Sequence, residues 1–79
     1  MTHPRVVLLG RQGCHLCDQA RVVVDDVCAG LGVSWVEQDV DDDPELRSRY
    51  SDLVPVVQVD GEDIAHFRVS TAVLRRALA

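Results

Sequence analysis

The sequence predicts an α/β domain with the element order β-α-β-α-β-β-α, in which a four-stranded mixed sheet carries helices on both faces. Three observations support this fold class. A continuous apolar run precedes a helical pattern, an Asp-Pro pair opens a second helix between two further apolar runs, and Asp60-Gly61 joins the last two strands. The 79 residues suffice for one small domain, which we assign to residues 1–79.

The first strand and the first helix are predicted from two different apolar patterns. Residues 4–9 contain the unbroken run Val6-Val7-Leu8-Leu9, which is typical of a buried strand. A helix is predicted from about residue 14 to residue 29, and Gly30 and Gly32 are expected to end it. Its apolar stripe follows the i, i+3, i+4 spacing of an amphipathic helix. The stripe consists of Cys17, Ala20, Val24, Cys28 and Leu31.

The middle of the chain predicts a second strand and a short second helix. Residues 33–40 are rich in β-formers and alternate in part, which favours a strand. Asp43 is a helix cap, and Pro44 occupies the first helical position, where its missing N–H costs nothing. This helix is expected to end near Tyr50-Ser51.

The last third of the chain predicts a hairpin and a closing helix. Residues 56–59 form the third predicted strand, and Asp60-Gly61 is a strong two-residue turn into a fourth strand at residues 63–67. Ser70 is expected to cap the last helix. The apolar side of that helix is expected to consist of Val73, Leu74 and Leu78.

The composition is typical of a folded domain and argues against several functional classes. The chain is 47% hydrophobic, has a formal net charge of −5, and draws all eight of its basic residues from arginine. The absence of a basic run disfavours nucleic acid and anionic membranes as partners. No apolar run is long enough to cross a membrane, and no secretory segment is recognised. We therefore expect a cytoplasmic monomer, in which three cysteines do not indicate a structural disulfide framework.

The motif Cys14-His15-Leu16-Cys17 lies between the first strand and the first helix. Two thiols three positions apart at a helix start can close a small ring, and the dipole of the helix favours negative charge on the first sulfur. This order predicts thiol–disulfide exchange, with Cys14 as the exposed nucleophile and Cys17 as the partly buried resolving thiol. Cys28 lies about 16 Å further along the helix axis and is assigned to the core. The plain alternatives are a metal ligand for Cys14 and a packing residue for Cys17.

Two motifs together resemble the glutaredoxin-like proteins of the thioredoxin fold. They are Cys14-His15-Leu16-Cys17-Asp18 and Val54-Pro55. The chain is most similar to small glutaredoxin-like domains with a Cys-His-Leu-Cys-acidic motif, and the resemblance covers nearly all of it. It implies the minimal thioredoxin fold. It also implies a cis peptide bond before Pro55 that faces the dithiol, with exposed backbone at Val54 that pairs with an extended substrate.

Three polar residues are candidates for binding roles, of which the resemblance implies the first and local chemistry suggests the other two. Arg11 stands where glutaredoxins place a basic residue that binds a carboxylate of glutathione. Ser70 begins a helix whose N–H groups suit a carboxylate, and His15 would place positive charge beside Cys14. The plain alternatives are a loop arginine for Arg11, a simple helix cap for Ser70 and a solvated histidine for His15.

The chain departs from the glutaredoxin pattern at three places. Leu53 replaces the usual Thr before Val-Pro, and residues 66–71 replace the usual Gly-Gly pair with its acidic residue. The aromatic residue that is usual inside the CxxC motif is also absent. The substrate therefore stays open between glutathione, another low-molecular-weight thiol and a protein disulfide.

These observations predict a thiol–disulfide oxidoreductase without a bound cofactor. Its partners would be a disulfide-containing protein or a small-thiol substrate, together with a reductase or a thiol electron donor such as glutathione. One alternative is a metal or iron–sulfur module built on Cys14, Cys17 and His15, which needs a second copy to complete its ligands. Another is a degenerate domain that only mediates interactions. The D-x-D-x-D spacing that begins at Asp39 is not a calcium loop, because Pro44 replaces the required glycine.

Overall fold

The computed structural model describes residues 4–79, and these residues form one four-stranded sheet and three α-helices. The predicted α/β architecture and its order of elements are confirmed. The elements are β1 (Val6–Gly10), α1 (His15–Leu31), β2 (Trp35–Asp39), α2 (Pro44–Tyr50), β3 (Val56–Val59), β4 (Glu62–His66) and α3 (Thr71–Leu78). Within residues 4–79, the helices are too short or too polar to cross a membrane.

The sheet has the strand order β2-β1-β3-β4, so the two central strands are β1 and β3. Strand β1 runs parallel to β2 and antiparallel to β3, and β3 runs antiparallel to β4. Leu9 near the end of β1 is paired with Val56 at the start of β3, and Val56 is paired with His66 at the end of β4. One edge of the sheet therefore collects the end of β1, the start of β3 and the end of β4.

Side-chain alternation along β1 divides the core between the two faces of the sheet. Val6 and Leu8 pack against α1 and α3, whereas Leu9 packs on the opposite face against Tyr50 of α2. Leu8 and Leu9 are at most 1% exposed. Full burial of one such side chain contributes about 1.5–3 kcal/mol. The prediction of helices on both faces is thus confirmed.

Helix α1 extends further than the apolar pattern predicted. Gly30 lies inside the helix, and Gly32 ends it with a φ of 67°, donating its N–H to the carbonyls of Ala29 and Cys28. A left-handed residue at this position favours glycine, so only the second of the two glycines is the stop. Leu31 lies beyond the buried part of the stripe and is 51% exposed, so its assignment to the core was wrong.

Two predicted strand boundaries were also displaced by local turns. Strand β2 ends at Asp39, because its carboxylate accepts the N–H of Asp41 and starts a short 3₁₀ turn. Strand β4 begins at Glu62 and ends before Phe67, whose φ of 65° is not that of a strand. Asp60 and Gly61 have φ values of 53° and 88°, as the predicted tight hairpin turn requires.

The caps of the two later helices agree with the sequence prediction. The Asp43 carboxylate accepts the N–H groups of Glu45 and Leu46 at the start of α2. At the start of α3, Ser70 has the same role. Leu74 and Leu78 are buried as predicted, whereas Val73 is 39% exposed at the margin of the apolar side.

Candidate functional site

Three segments that are distant in sequence meet at one edge of the sheet. They are the loop after β1 that leads to Cys14, the pair Val54-Pro55 before β3, and the residues after β4 that lead to Ser70. The N–H of Phe67 donates to the carbonyl of Pro55 at 2.9 Å, which joins the second segment to the third. The guanidinium of Arg11 donates to the carbonyl of Ser51 at 3.4 Å, which brings the loop to the chain just before Val54.

Cys14 is the N-cap of α1, and its sulfur accepts the backbone N–H of Cys17 at 3.2 Å. A cap residue has extended backbone and lies at the mouth of the helix, where the first N–H groups have no partner within the helix. The Cys14 side chain is half-buried, and both thiols are free. Cys17 is fully buried, more completely than the sequence predicted.

Burial raises the pKa of the Cys17 thiol to about 11, and the hydrogen bond with the Cys14 sulfur adds to that rise. A hydrogen bond from the Arg11 backbone has the opposite effect on this pKa. Cys17 is therefore a protonated, inaccessible thiol near neutral pH. Cys14 is the sulfur of the pair that solvent reaches.

The other two candidate groups on α1 differ in their surroundings. His15 is exposed at the first position of the helix, next to Cys14 in the chain. Cys28 is fully buried in the core, which confirms its assignment, and burial raises the pKa of its thiol. The helix thus keeps Cys28 apart from the edge where the CxxC motif lies.

Arg11 forms a two-point ion pair with Asp41, which the sequence did not predict. Its Nε and Nη2 donate to the two carboxylate oxygens at 3.0 and 3.1 Å. The hydrogen bond from Arg11 lowers the pKa of Asp41. All three guanidinium nitrogens are engaged by the chain itself, since the remaining one contacts the Ser51 carbonyl. This pairing places Arg11 at the site edge as part of the scaffold.

Ser70 is likewise engaged in its own helix. Its hydroxyl oxygen accepts the N–H of Val73 at 3.3 Å, which is the usual contact of an N-cap serine. Ser70 is exposed, as is Thr71, the first residue of α3. The hydroxyl therefore has a structural partner, while the residue remains accessible at the edge that carries Cys14.

A second unpredicted ion pair lies on the β2 side of the CxxC motif. Arg21 donates to both oxygens of Glu37 at 2.7 Å and to Asp18 at 2.9 Å. The Asp18 charge that follows Cys17 in sequence is thus balanced by Arg21. Arg21 and Glu37 border a cleft of about 360 Å³. The cleft is lined by Gly10, Arg11, Gln12, Arg21, Glu37, Asp39 and Asp42.

The Val54–Pro55 peptide bond is cis, and Pro55 is buried. Among residues 4–79, the backbone of Val54 makes no hydrogen bond to another backbone group. Val54 lies two positions before the start of β3 and is half-buried. Its N–H and carbonyl therefore have no main-chain partners at the site edge.

Metal binding by a preformed cluster finds no support in the arrangement of the donor residues. Within the described part of the chain, residues 4–79, no three side chains of His, Cys, Asp or Glu come together in a way that could hold an ion. This applies to Cys14, Cys17 and His15 as a set and to the acidic turn that begins at Asp39.

Phe67 is a site residue that sequence reasoning missed, because it was assigned to the strand before it. Its φ of 65° is rare for a large side chain, and an L-residue in this conformation carries a cost of roughly 1–2 kcal/mol. Its ring contacts the ring of His66 edge-on, at a centroid distance of 4.9 Å. The residue remains 43% exposed, and its backbone N–H is bonded to the Pro55 carbonyl. Composition and periodicity gave no signal for this position.

Comparison with known proteins identifies a matching family model and related sequences. Residues 5–79 match the family model described as Glutaredoxin-like domain (DUF836). The chain is also 32% identical to uncharacterised proteins of Mycobacterium tuberculosis and Mycobacterium bovis. Those alignments cover 100% of this chain and 87% of each relative.

Solved structures resemble this fold along almost its whole length. The protein XcR50 from X. campestris is 32% identical with a TM-score of 0.76, covering 92% of this chain and 93% of that one. Ne2328 from Nitrosomonas europaea, at 24% identity, has a TM-score of 0.80 and covers 100% and 96%. A glutaredoxin from Archaeoglobus fulgidus, at 15% identity, has a TM-score of 0.66 and covers 95% and 86%. The fold is thus the minimal thioredoxin fold that the sequence motifs predicted.

Proposed function

Because the chain belongs to the family of glutaredoxin-like domains, we propose that it is a thiol–disulfide oxidoreductase that reduces disulfides of proteins or low-molecular-weight thiols. One observation carries this proposal. Cys14 is half-buried at the mouth of α1, and its sulfur accepts the N–H of Cys17, whose own thiol is fully buried one turn further on. Dithiol exchange requires one accessible sulfur, which attacks the substrate, and one protected sulfur, which resolves the mixed disulfide.

The first step is an attack by the Cys14 thiolate on one sulfur of the substrate disulfide. A bond forms between Cys14 and that sulfur, the substrate S–S bond breaks, and the second substrate sulfur leaves as a thiolate that takes up a proton. The N–H of Cys17 and the other unpaired N–H groups of the first helical turn stabilise negative charge on Cys14 before the attack.

The second step closes the ring between the two cysteines. The Cys17 thiol loses its proton and attacks the Cys14 sulfur. The bond between Cys14 and the substrate sulfur breaks, this sulfur leaves as a thiolate that takes up a proton, and a Cys14–Cys17 disulfide remains. Two electrons have then passed from the dithiol to the substrate. A low-molecular-weight thiol such as glutathione, or a thiol reductase, returns them by the same exchange in reverse.

Support for Cys17 as the resolving group comes from its surroundings. Burial holds its pKa near 11, so the free thiol does not compete with Cys14 for the substrate at neutral pH. In the mixed disulfide, Cys17 is one helical turn from the bond that it attacks, and this proximity replaces the need for a strongly ionised thiol.

The proposal also covers the oligomeric state, the cellular compartment and the partners. We propose that the domain acts as a monomer in the reducing cytoplasm, with no resident cofactor, on disulfide-containing proteins or small thiols. An environment rich in thiols keeps Cys14 and Cys17 reduced between turnovers.

A single-turnover assay with pre-reduced protein tests the function without assuming an electron donor. The protein is mixed with bis(2-hydroxyethyl) disulfide, a small substrate that needs no binding pocket, and the released thiol is measured. The matched variants are Cys14→Ser, Cys17→Ser and Cys28→Ser. We expect Cys14→Ser to abolish the reaction and Cys28→Ser to leave its rate unchanged.

Cys17→Ser distinguishes the two steps of the reaction. With this variant we expect a mixed disulfide on Cys14 to accumulate, because no second thiol resolves it. The same preparations are analysed for bound metal. Stoichiometric metal that is lost in Cys14→Ser, together with no thiol release from the wild-type protein, would contradict the proposal in favour of a metal-binding module.

A further inference from the structure

An exposed aromatic ring lies at the site edge in a backbone conformation that a large residue rarely adopts. Phe67 has a φ of 65° and is 43% exposed. Glycine or asparagine would adopt this φ with little cost, and neither would place an aromatic ring in solvent. Residues in sparsely populated backbone conformations concentrate at sites where a protein contacts a ligand.

The backbone of Phe67 is anchored at this edge, and its ring contacts one neighbour. The Phe67 N–H donates to the Pro55 carbonyl at 2.9 Å, and the ring contacts His66 edge-on at 84° between the planes. A backbone that is ordered before binding reduces the entropy that is lost when a partner binds. Aromatic side chains are also frequent among the residues that dominate binding energy.

The main chain beside Phe67 is suited to an extended peptide. Val54 precedes Pro55, and its N–H and carbonyl make no backbone hydrogen bond within residues 4–79. An extended segment that pairs with Val54 would pass the Pro55 carbonyl, to which Phe67 is bonded. A side chain next to the substrate cysteine would then lie near Phe67, the residue that is bonded to that carbonyl.

The groups expected to bind the carboxylates of glutathione are engaged by the protein itself. Arg11 directs its three guanidinium nitrogens to Asp41 and the Ser51 carbonyl. The Ser70 hydroxyl accepts the N–H of Val73. A ligand carboxylate would meet an Arg11 whose charge Asp41 already balances and a helix start at which the Val73 N–H is already bonded, whereas an apolar residue finds Phe67 exposed.

We propose that Phe67 selects the substrate, and that the preferred substrate is an extended protein segment in which an apolar residue adjoins the half-cystine. This inference rests on the proposed oxidoreductase function and names its substrate class. Phe67 acts as a specificity-determining contact, while Cys14 and Cys17 perform the two-electron exchange described above. The proposal predicts that glutathione disulfide is a poorer substrate than such a segment.

The test compares four disulfides in single turnover with pre-reduced protein. Two are peptide dimers linked through a central cysteine, identical except that leucine or asparagine adjoins it, and the third is bis(2-hydroxyethyl) disulfide. Glutathione disulfide is added as a fourth substrate. We expect the leucine peptide to react faster than the asparagine peptide and than glutathione disulfide. In Phe67→Ala, we expect the leucine-to-asparagine ratio of rate constants to fall about tenfold, the change that a buried aromatic contact typically supports.

Controls separate the Phe67 contact from a general effect on folding or chemistry. Phe67→Tyr keeps the ring and is expected to keep the preference. Leu31→Ala removes another exposed apolar side chain at the far end of α1 and is expected to leave every rate unchanged. The reaction with bis(2-hydroxyethyl) disulfide should stay unchanged in Leu31→Ala, and thermal unfolding confirms that all three variants are folded.

Two results would overturn the inference while leaving the function intact. One is an equal loss on both peptides in Phe67→Ala, and the other is a wild-type protein that reduces glutathione disulfide faster than either peptide. Failure of the wild-type protein to reduce even bis(2-hydroxyethyl) disulfide would instead refute the oxidoreductase proposal, and the substrate inference with it.

Discussion

The backbone N–H of Cys17 donates a hydrogen bond to the Cys14 sulfur at 3.2 Å, so the first cysteine of the motif caps the helix that carries the second. This contact gives Cys14 a structural task besides its proposed chemical one. A sulfur is a weaker acceptor than a hydroxyl oxygen, and serine is among the preferred N-cap residues. The two tasks can therefore be separated by substitution.

We predict that Cys14→Ser remains folded and is more stable than Cys14→Ala by about 1 kcal/mol, the usual difference between serine and alanine at an N-cap. The measurement is urea unfolding of the two variants under reducing conditions. Equal stability of the serine and alanine variants would show that residue 14 does not act as a cap.

The raised pKa of Cys17 predicts a loss of stability in alkaline solution. Because the folded pKa is about 11 and the ordinary value is 9.0, the folded state holds this proton more tightly than the unfolded chain does. The associated stabilisation is complete below about pH 9 and is lost as the pH rises through about 11. From pH 8 to pH 10, the free energy of unfolding should fall by about 1 kcal/mol through this group.

Cys17→Ala is the matched control for this pH dependence. This variant lacks the Cys17 thiol but retains Cys28. Burial also raises the pKa of the Cys28 thiol, and because both proteins contain Cys28, its contribution cancels in the comparison. The wild-type curve should fall more steeply than the variant curve above pH 9. Parallel curves would contradict the account of Cys17 as a buried, protonated thiol.

The different exposure of the three cysteines predicts an order of alkylation. With iodoacetamide at pH 7, we expect Cys14 to be modified more than about tenfold faster than Cys17 or Cys28, which are both fully buried. Mass spectrometry of peptides at successive times measures the order. The same reaction in denaturant should modify all three at similar rates, and a native protein in which Cys28 reacts first would contradict the fold.

The ion pair between Arg11 and Asp41 predicts that substitution of Arg11 has only a small effect on the reaction rates. Arg11→Gln should slow the reduction of glutathione disulfide and of bis(2-hydroxyethyl) disulfide by the same factor, less than about threefold, because the guanidinium is already engaged. Asp41→Asn is the companion variant, since it releases Arg11 from its partner. A selective loss on glutathione disulfide in Arg11→Gln would show that Arg11 binds that substrate directly.

Local patterns in the sequence were sufficient for the elements and for the position of the CxxC motif. The run Val6-Val7-Leu8-Leu9 predicted β1 because burial on both sheet faces requires a continuous apolar strand. Asp43 and Ser70 were predictable as caps, since the acceptor and the N–H groups that it serves lie within three residues.

The contacts of the site depend on distant pairings and were not predictable in this way. Arg11 and Asp41 are thirty positions apart and exposed, so no periodic pattern connects them. The conformation of Phe67 is set by its bond to Pro55 and not by its own propensity, which favours a strand. The sequence could not show that α1 ends at Gly32 and not at Gly30, because both glycines satisfy the same rule. The left-handed φ of Gly32 decides between them.

The reversible pairing of Cys14 with Cys17 is tested most directly by mapping the disulfide after one turnover. Reduced protein is treated with one equivalent of bis(2-hydroxyethyl) disulfide, free thiols are alkylated, and the peptides are identified by mass. The account predicts a Cys14–Cys17 bond, an alkylated Cys28, and full return to three alkylated thiols after treatment with excess dithiothreitol. A bond that includes Cys28, or the recovery of all three cysteines as unreacted thiols, would contradict it.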